Sequence, residues 1–260
     1  NFIFENYYPR QNGYINIGYN YGTTGSTNSG YASSSVQEYI HFYGTLNTSD
    51  DAKNGSQHFE YSNKLDHSTN RVFNLNLNGH SGSTVEFYFK RDNYSGSNKQ
   101  VILDIWNSSS AASSDYGRYI IETHPGIAGE EQKFYIHLRS GSAGVDSFSL
   151  GSNLDFTGSW HHYAITSVNS GSDLVFQLFV DGLKADEVVT GSSIGQVGGA
   201  MQGQLGSLIT AASGSATGRG WGKLSGSLDE FRYWKTKRTD KQIRRNYFTQ
   251  IGGGTNTDYA

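Results

Sequence analysis

From about Val36 onward the chain is a succession of short runs in which apolar and polar residues alternate. Val85, Phe87 and Phe89 alternate with Glu86, Tyr88 and Lys90, and Val101, Leu103 and Ile105 with Ile102, Asp104 and Trp106. Phe134, Ile136 and Leu138 do the same with Tyr135, His137 and Arg139. A period of two is that of a strand with one face buried. Trp160 to Thr166 and Leu174 to Val180 fit the same template. Gly, Ser and Asn clusters at 93–98, 140–144 and 169–172, and the pair Asp181-Gly182, mark the turns between runs. Helical spacing occurs once. Thr239 and Gln242 form a candidate capping box, followed by Ile243, Tyr247, Phe248 and Ile251, with Gly252 to Gly254 as the stop.

Composition supports the same class. Of 260 residues 33 are Gly, 14% are aromatic and only 17% are charged, so good helix formers are scarce. No run approaches the ~18 apolar residues of a membrane span, which argues against direct membrane insertion. The net charge of −3 excludes nucleic-acid binding through a broad basic surface. With no Cys, a disulfide framework, thiol catalysis and cysteine-ligated zinc are excluded. No repeat of 20–50 residues is visible, which speaks against a propeller or solenoid.

Residues 1–36 differ from the rest, with a Gly, Tyr, Asn, Ser and Thr run from Gly18 to Ser35. They read as a polar linker or as an arm whose tyrosines pack on a neighbouring subunit. The first residues have neither a basic nor an apolar signal-peptide region, as in a processed chain or a segment of a longer one. The division expected is an arm or linker at 1–36, a β-sandwich at 37–252 and a tail at 253–260.

Four elements in order carry a resemblance. Trp160-His161-His162-Tyr163-Ala164 resembles the W-x-H-x-A strand of laminin-G-like domains in the concanavalin A-like lectin/glucanase superfamily. Phe179-Val180-Asp181-Gly182 is similar to that family's Y/F-V-D-G hairpin, and Gly226 to Arg232 to its G-x-I/L-D-E-hydrophobic-R strand. The segment Thr239 to Tyr247 resembles its short terminal helix. The resemblance implies an antiparallel two-sheet β-sandwich of jelly-roll, concanavalin A-like type, with one short C-terminal helix. Trp160 is expected as an aromatic anchor of the core. Asp229 and Glu230 are expected to tie adjacent backbone and Arg232 together.

The search for chemistry is mostly negative. Retaining glycosidases of this superfamily carry carboxylates as E-x-D-x-x-E, with acid and nucleophile about 5–5.5 Å apart. None of the nine Glu here is followed by Asp two positions on. There is no Gly-x-Ser-x-Gly elbow, and Gly214 to Lys223 fails as a phosphate loop at Thr217 and Leu224. His161 and His162 are adjacent on a strand, so they face opposite ways and form no metal pair. No cofactor is required. Calcium is the ion the resemblance implies, with Asp50, Asp51, Asp181 and Asp186 available and no site assigned.

One constellation remains. The polar partners of the core rows are expected to share the outer face of one sheet: Glu86, Tyr88, Lys90, Asp104, Trp106, Glu122, His124, Tyr135, His137 and Arg139. Aromatic rings stack on the apolar faces of sugars while carboxylate, His and Arg bond their hydroxyls. An ordinary solvated sheet face alternates in the same way, and a subunit interface is a third reading. A second candidate is the long loop from Gly191 to Gly222, carrying Arg219 and Trp221. The expected function is a non-catalytic carbohydrate-binding or adhesion module, extracellular, on a cell surface or on a virion. Its partner would be a glycan or a protein surface. The alternative is a structural assembly protein, such as a virion decoration, fibre or sheath subunit packing on itself or on a virion scaffold. A third reading is an atypical glycoside hydrolase or polysaccharide lyase using Glu122, His124, Tyr135 and His137.

Overall fold

A computed structural model of the chain describes residues 2–3, 15–17, 40–42, 75, 77–91, 99–107, 109–124, 132–197, 201–210 and 224–249. The strands are β1 (Phe2–Ile3), β2 (Ile15–Ile17), β3 (Ile40–Phe42), β4 (Ser83–Arg91), β5 (Gln100–Trp106), β6 (Gly117–Thr123) and β7 (Phe134–Ser140). They continue with β8 (Ala143–Leu150), β9 (His161–Ser170), β10 (Asp173–Val180), β11 (Leu183–Thr190), β12 (Gln202–Leu205) and β13 (Gly226–Trp234). One helix, α1 (Asp240–Asn246), follows.

All pairings between these strands are antiparallel, and they form two sheets. The seven-stranded sheet runs β1-β13-β4-β9-β10-β11, with β3 also on β13; the six-stranded sheet runs β2-β12-β5-β6-β7-β8. The expected antiparallel β-sandwich with a short terminal helix is therefore the fold. Within the stretch read as an arm or linker, Phe2–Ile3 pairs with β13 and Ile15–Ile17 with β12.

The inward rows of the two sheets meet in one core. Phe87 on β4 reaches across to Phe134 on β7 at 6.0 Å, and Phe134 lies 5.1 Å from Tyr163 and 5.0 Å from Phe156. Phe87 also stacks on Phe231 at 6.3 Å. Edge-to-face and offset pairs add about 0.5–1.5 kcal/mol each beyond the area they bury.

Trp160 is not part of this core. It is 37% exposed. The strand begins one residue later, and alternation turns Tyr163 and Ile165 inward, so the preceding Trp stands outside. Among the described residues the buried tryptophan is Trp234, on the outer side of β13 beneath the Arg238 guanidinium at 4.2 Å.

Two local expectations take their predicted form. Asp181 (φ 48°) and Gly182 (φ 76°) turn β10 into β11, and Thr239 and Gln242 form a reciprocal capping box. The helix ends at Asn246, short of the spacing read to Ile251, which lies outside the described residues. Glu230 (φ 48°) sits in the irregular register between Asp229 and Arg232, and its Oε2 accepts from Arg232 Nη2 at 3.0 Å. The expected tie is present.

Candidate functional site

The single face expected from the sequence is divided between two sheets. Glu86, Tyr88 and Lys90 lie on β4 in the seven-stranded sheet, while Asp104, Trp106, Glu122, Tyr135, His137 and Arg139 lie on β5, β6 and β7 in the other, with His124 just past β6. Tyr88 therefore leaves the constellation. Its hydroxyl donates to the Tyr247 carbonyl at 2.9 Å. Alternation specifies which residues share a side of a strand, but nothing in it says which sheet the strand joins.

On the outer side of the six-stranded sheet, strand register sets three rows. Gln202, Trp106, Arg118 and Arg139 make one, and Gln204, Asp104, Ile120 and His137 the next. Val101, Glu122 and Tyr135 make the third. The part of this face nearest β12 is closed. Leu208 packs with Val101 and Ile120, and the Ile209 N–H donates to Asp104 Oδ2 at 2.9 Å. Gln204 adds side-chain bonds to Ser207 and to the Leu208 carbonyl. Asp104 is fully buried and clamped by Arg118, whose Nε and Nη2 donate at 3.1 and 2.7 Å. Glu122, His124 and His137 are also buried.

What stays partly open is a strip. Trp106, Tyr135 and Arg139 are half-buried along it. The Arg118 guanidinium lies 6.0 Å from the Trp106 ring, and Lys99 Nζ stands 4.0 Å over the ring of Tyr135. Arg139 forms a two-bond pair with Asp146 on β8 and donates to the Ser142 carbonyl. Hydrogen bonding to Asp146 pushes the Arg139 guanidinium pKa above its ordinary value. The Nδ1–H of His137 donates to the Asp146 carbonyl at 2.6 Å. The strip thus offers Trp106 beside a guanidinium oriented by Asp104 and Tyr135 beneath an ammonium group, with the Arg139–Asp146 pair on the same strand as Tyr135.

Lys99, Arg118 and Asp146 were not singled out from the sequence. Arg118 sits directly opposite Trp106, a relationship set by pairing of β5 with β6 and written in no motif. The loop expected from Gly191 to Gly222 contains β12, whose Gln204 joins the covered part of the face. Arg219 and Trp221 lie outside the described residues.

Residues 60–244 match the laminin-G-type family model described as the Concanavalin A-like lectin/glucanases superfamily. The chain belongs to this family. Among solved structures it is similar to the native heptameric SAP-like pentraxin from Limulus polyphemus, at 14% identity and TM-score 0.46 over 65% of this chain and 70% of that one. It is also similar to the CBM40 of Ruminococcus gnavus IT-sialidase bound to alpha2,3 sialyllactose, at 10% identity and TM-score 0.44 over 64% and 83%. A putative carbohydrate binding protein from Bacteroides ovatus aligns at 19% identity and TM-score 0.42 over 66% and 42%. No curated protein matches the sequence.

The laminin-G-like sandwich holds one further buried ionic cluster, on the outer side of its other sheet. Glu86 Oε1 accepts from Arg238 Nη1 at 2.6 Å, and Oε2 lies 3.4 Å from His162 Nε2 and 3.5 Å from Arg232 Nη1. Burial raises the carboxyl pKa, but the adjacent His162 imidazole and the Arg238 guanidinium outweigh it and hold Glu86 below the usual carboxylate range. A shifted carboxylate beside a histidine can mark an active site. Here both arginines also serve the segment above: Arg232 donates to the Asn246 and Thr249 carbonyls and Arg238 to that of Gln242. The cluster fastens α1 to the sheet and is closed to substrate.

Among the described residues no group of three or more His, Asp or Glu converges as a metal cage. Asp181 accepts from His161 Nδ1 and the His162 amide, and Asp186 from the Gly151 and Glu187 amides. These two carboxylates are turned to different partners and do not jointly fit a calcium site. Asp50 and Asp51 lie outside the described residues.

Proposed function

We propose that this laminin-G-like domain is a non-catalytic carbohydrate-binding module, displayed outside the cell or on a virion, that holds a glycan along the open strip of its six-stranded sheet. The observation that carries the reading is Trp106 beside Arg118, with Tyr135 and Arg139 continuing the strip on β7. Membership of a lectin/glucanase superfamily supports the ligand class. The carboxylates favour binding over hydrolysis. Asp104 is committed to Arg118, Asp146 to Arg139, and Glu122 is buried, which disfavours a facing acid and nucleophile across a scissile bond.

The test is a glycan array probed with the wild-type chain and with Trp106→Ala and Tyr135→Ala. Binding that drops sharply in both variants supports the reading. Absence of binding to every glycan, or release of reducing sugar from the bound one, overturns it.

A structural assembly role is the second reading. Its motivation is the Tyr-, Asn- and Gly-rich start of the chain and the 17% share of charged residues. Size-exclusion chromatography with and without residues 1–36 separates the two, because only an assembly protein would lose a higher-order state on truncation.

A further inference from the structure

Residues 235–245 carry six of the chain's 20 Lys and Arg and one of its 23 Asp and Glu, Asp240. A chain of net charge −3 is therefore strongly cationic in one short segment. Arg238 is buried against Glu86, whereas Lys241, Arg244 and Arg245 are exposed on α1. Among the described residues these three take part in no ion pair. They stand at i, i+3 and i+4 of the helix, so they share one face with Cβ atoms about 5–6 Å apart. The chain keeps winding past α1: the Tyr247 N–H donates to the Ile243 carbonyl at 3.0 Å and that of Thr249 to the Asn246 carbonyl at 3.2 Å. This places Phe248, which is 67% exposed, one turn beyond Arg244 and Arg245.

The opposite side of the segment is fixed. Ile243 packs with Ala164 and Phe179, Arg232 donates to the Asn246 and Thr249 carbonyls, and the Tyr88 hydroxyl donates to that of Tyr247. The cationic face is thus presented on a rigid base. Helix stability does not account for it. Arg244 and Arg245 suit the negative end of the helix dipole, but Lys241 lies in the first turn, where a cation opposes it. Lys241 and Arg245, four positions apart, also repel each other. The charge is unneutralised within the described fold and calls for an external anion.

We infer that this face of α1 is a second binding surface, taking an acidic polysaccharide whose rings carry carboxylates. The inference rests on the carbohydrate-binding reading for its class of ligand but uses no residue of the strip. Guanidinium forks match carboxylates with two parallel bonds, Lys241 adds a third cation, and Phe248 offers a ring face to the apolar side of a sugar. One linear chain supplies both kinds of group. A bilayer is disfavoured because the apolar side of α1 is already packed on the sheet, which leaves Phe248 alone to insert. A nucleic-acid duplex calls for a broad basic surface, which a net charge of −3 disfavours.

The test titrates the full chain with oligogalacturonates, and with galactan oligosaccharides as the neutral probe, by calorimetry at low salt. Amide spectra check that each variant is folded, and shifts of the 241–248 amides report on the site itself. Lys241→Gln/Arg244→Gln/Arg245→Gln should weaken oligogalacturonate binding ~10-fold or more and change neutral-sugar binding little. Phe248→Ala should weaken it ~3-fold or more. Arg244→Lys/Arg245→Lys keeps the charge but loses the forks, and should also bind ~3-fold or more weakly. Weakening in the triple variant, with wild-type shifts at 241–248, supports the site even if Trp106→Ala has no effect on any glycan. Oligogalacturonate binding lost in Trp106→Ala but unaltered in the triple variant overturns the site and leaves the strip standing. Binding of neutral sugars without oligogalacturonate does the same. Equal or tighter binding of polyglutamate, duplex DNA or anionic vesicles marks plain charge attraction and overturns it, as does full affinity in Arg244→Lys/Arg245→Lys. Absence of binding to every glycan overturns this site and the strip together.

Discussion

Glu86 and Arg238 are 152 positions apart in the chain, yet their side chains meet at 2.6 Å with almost no exposure of either. That bond joins the middle of the seven-stranded sheet to the segment leading into α1. Arg232 and His162 complete the surroundings of the carboxylate, and its charge offsets two buried guanidinium groups.

Removing it should be costly. Glu86→Ala removes the buried carboxylate bonded by Arg238 and leaves Arg232 with Glu230 alone, and loss of one partner of such a pair typically costs about 3–5 kcal/mol. Urea unfolding should show that loss, and hydrogen exchange should show α1 opening first.

The same carboxylate sets an acid limb. Its folded pKa is below the ordinary value, so the unfolded chain takes up the proton first as pH falls. The stability it contributes is fully present above the unfolded carboxylate pKa of about 4.3 and is lost as pH drops through the lower folded value. Thermal unfolding followed downward from pH 6 should show this decline, and Glu86→Gln should flatten it while lowering the plateau.

Asp104 has the corresponding role under the strip. Asp104→Ala removes the acceptor of both Arg118 bonds and of the Ile209 amide. The expected loss is on the order of 3 kcal/mol. The double variant Asp104→Ala/Arg118→Ala should cost less than the sum of the single ones, because the buried guanidinium goes with its partner. Chemical unfolding of the four proteins closes that cycle.

Two glycines separate backbone strain from steric fit. Gly171 (φ 62°) has nothing within 4 Å of a Cβ, whereas Gly182 (φ 76°) has the Tyr247 ring at 2.6 Å. Gly171→Ala should cost only the left-handed backbone penalty of about 1–2 kcal/mol. Gly182→Ala should cost more, since the turn must also move off Tyr247, and denaturant midpoints should rank the two in that order.

Thr239→Ala should lose about 1 kcal/mol, because its side chain caps the Gln242 amide at the start of α1. The change should appear in the unfolding midpoint and leave glycan binding untouched.

Much of this was legible along the chain, and the misses have a common origin. The alternation of Phe134, Ile136 and Leu138 with Tyr135, His137 and Arg139 follows from covalent geometry, which points successive side chains to opposite faces. The Asp181-Gly182 turn and the Thr239 cap are equally local, each depending on a few neighbouring residues. Trp160 was misplaced because the first residue of β9 decides its side, and strand ends are set by packing. The strip could not be assembled from sequence, since Trp106 meets Arg118 only through the pairing of β5 with β6.

Strand periodicity, turn chemistry, helix capping and the family itself were thus determined by the sequence alone. Sheet membership was decided only by the tertiary structure. β4 and β5 follow each other in the chain, yet Tyr88 and Trp106 ended on opposite sheets. That choice depends on which arrangement buries both inward rows against each other, a sum over contacts distant in sequence that no local pattern encodes. The same long-range packing brought Leu208 and Ile209 over Asp104, closing part of the expected face and leaving the strip beside Trp106 open.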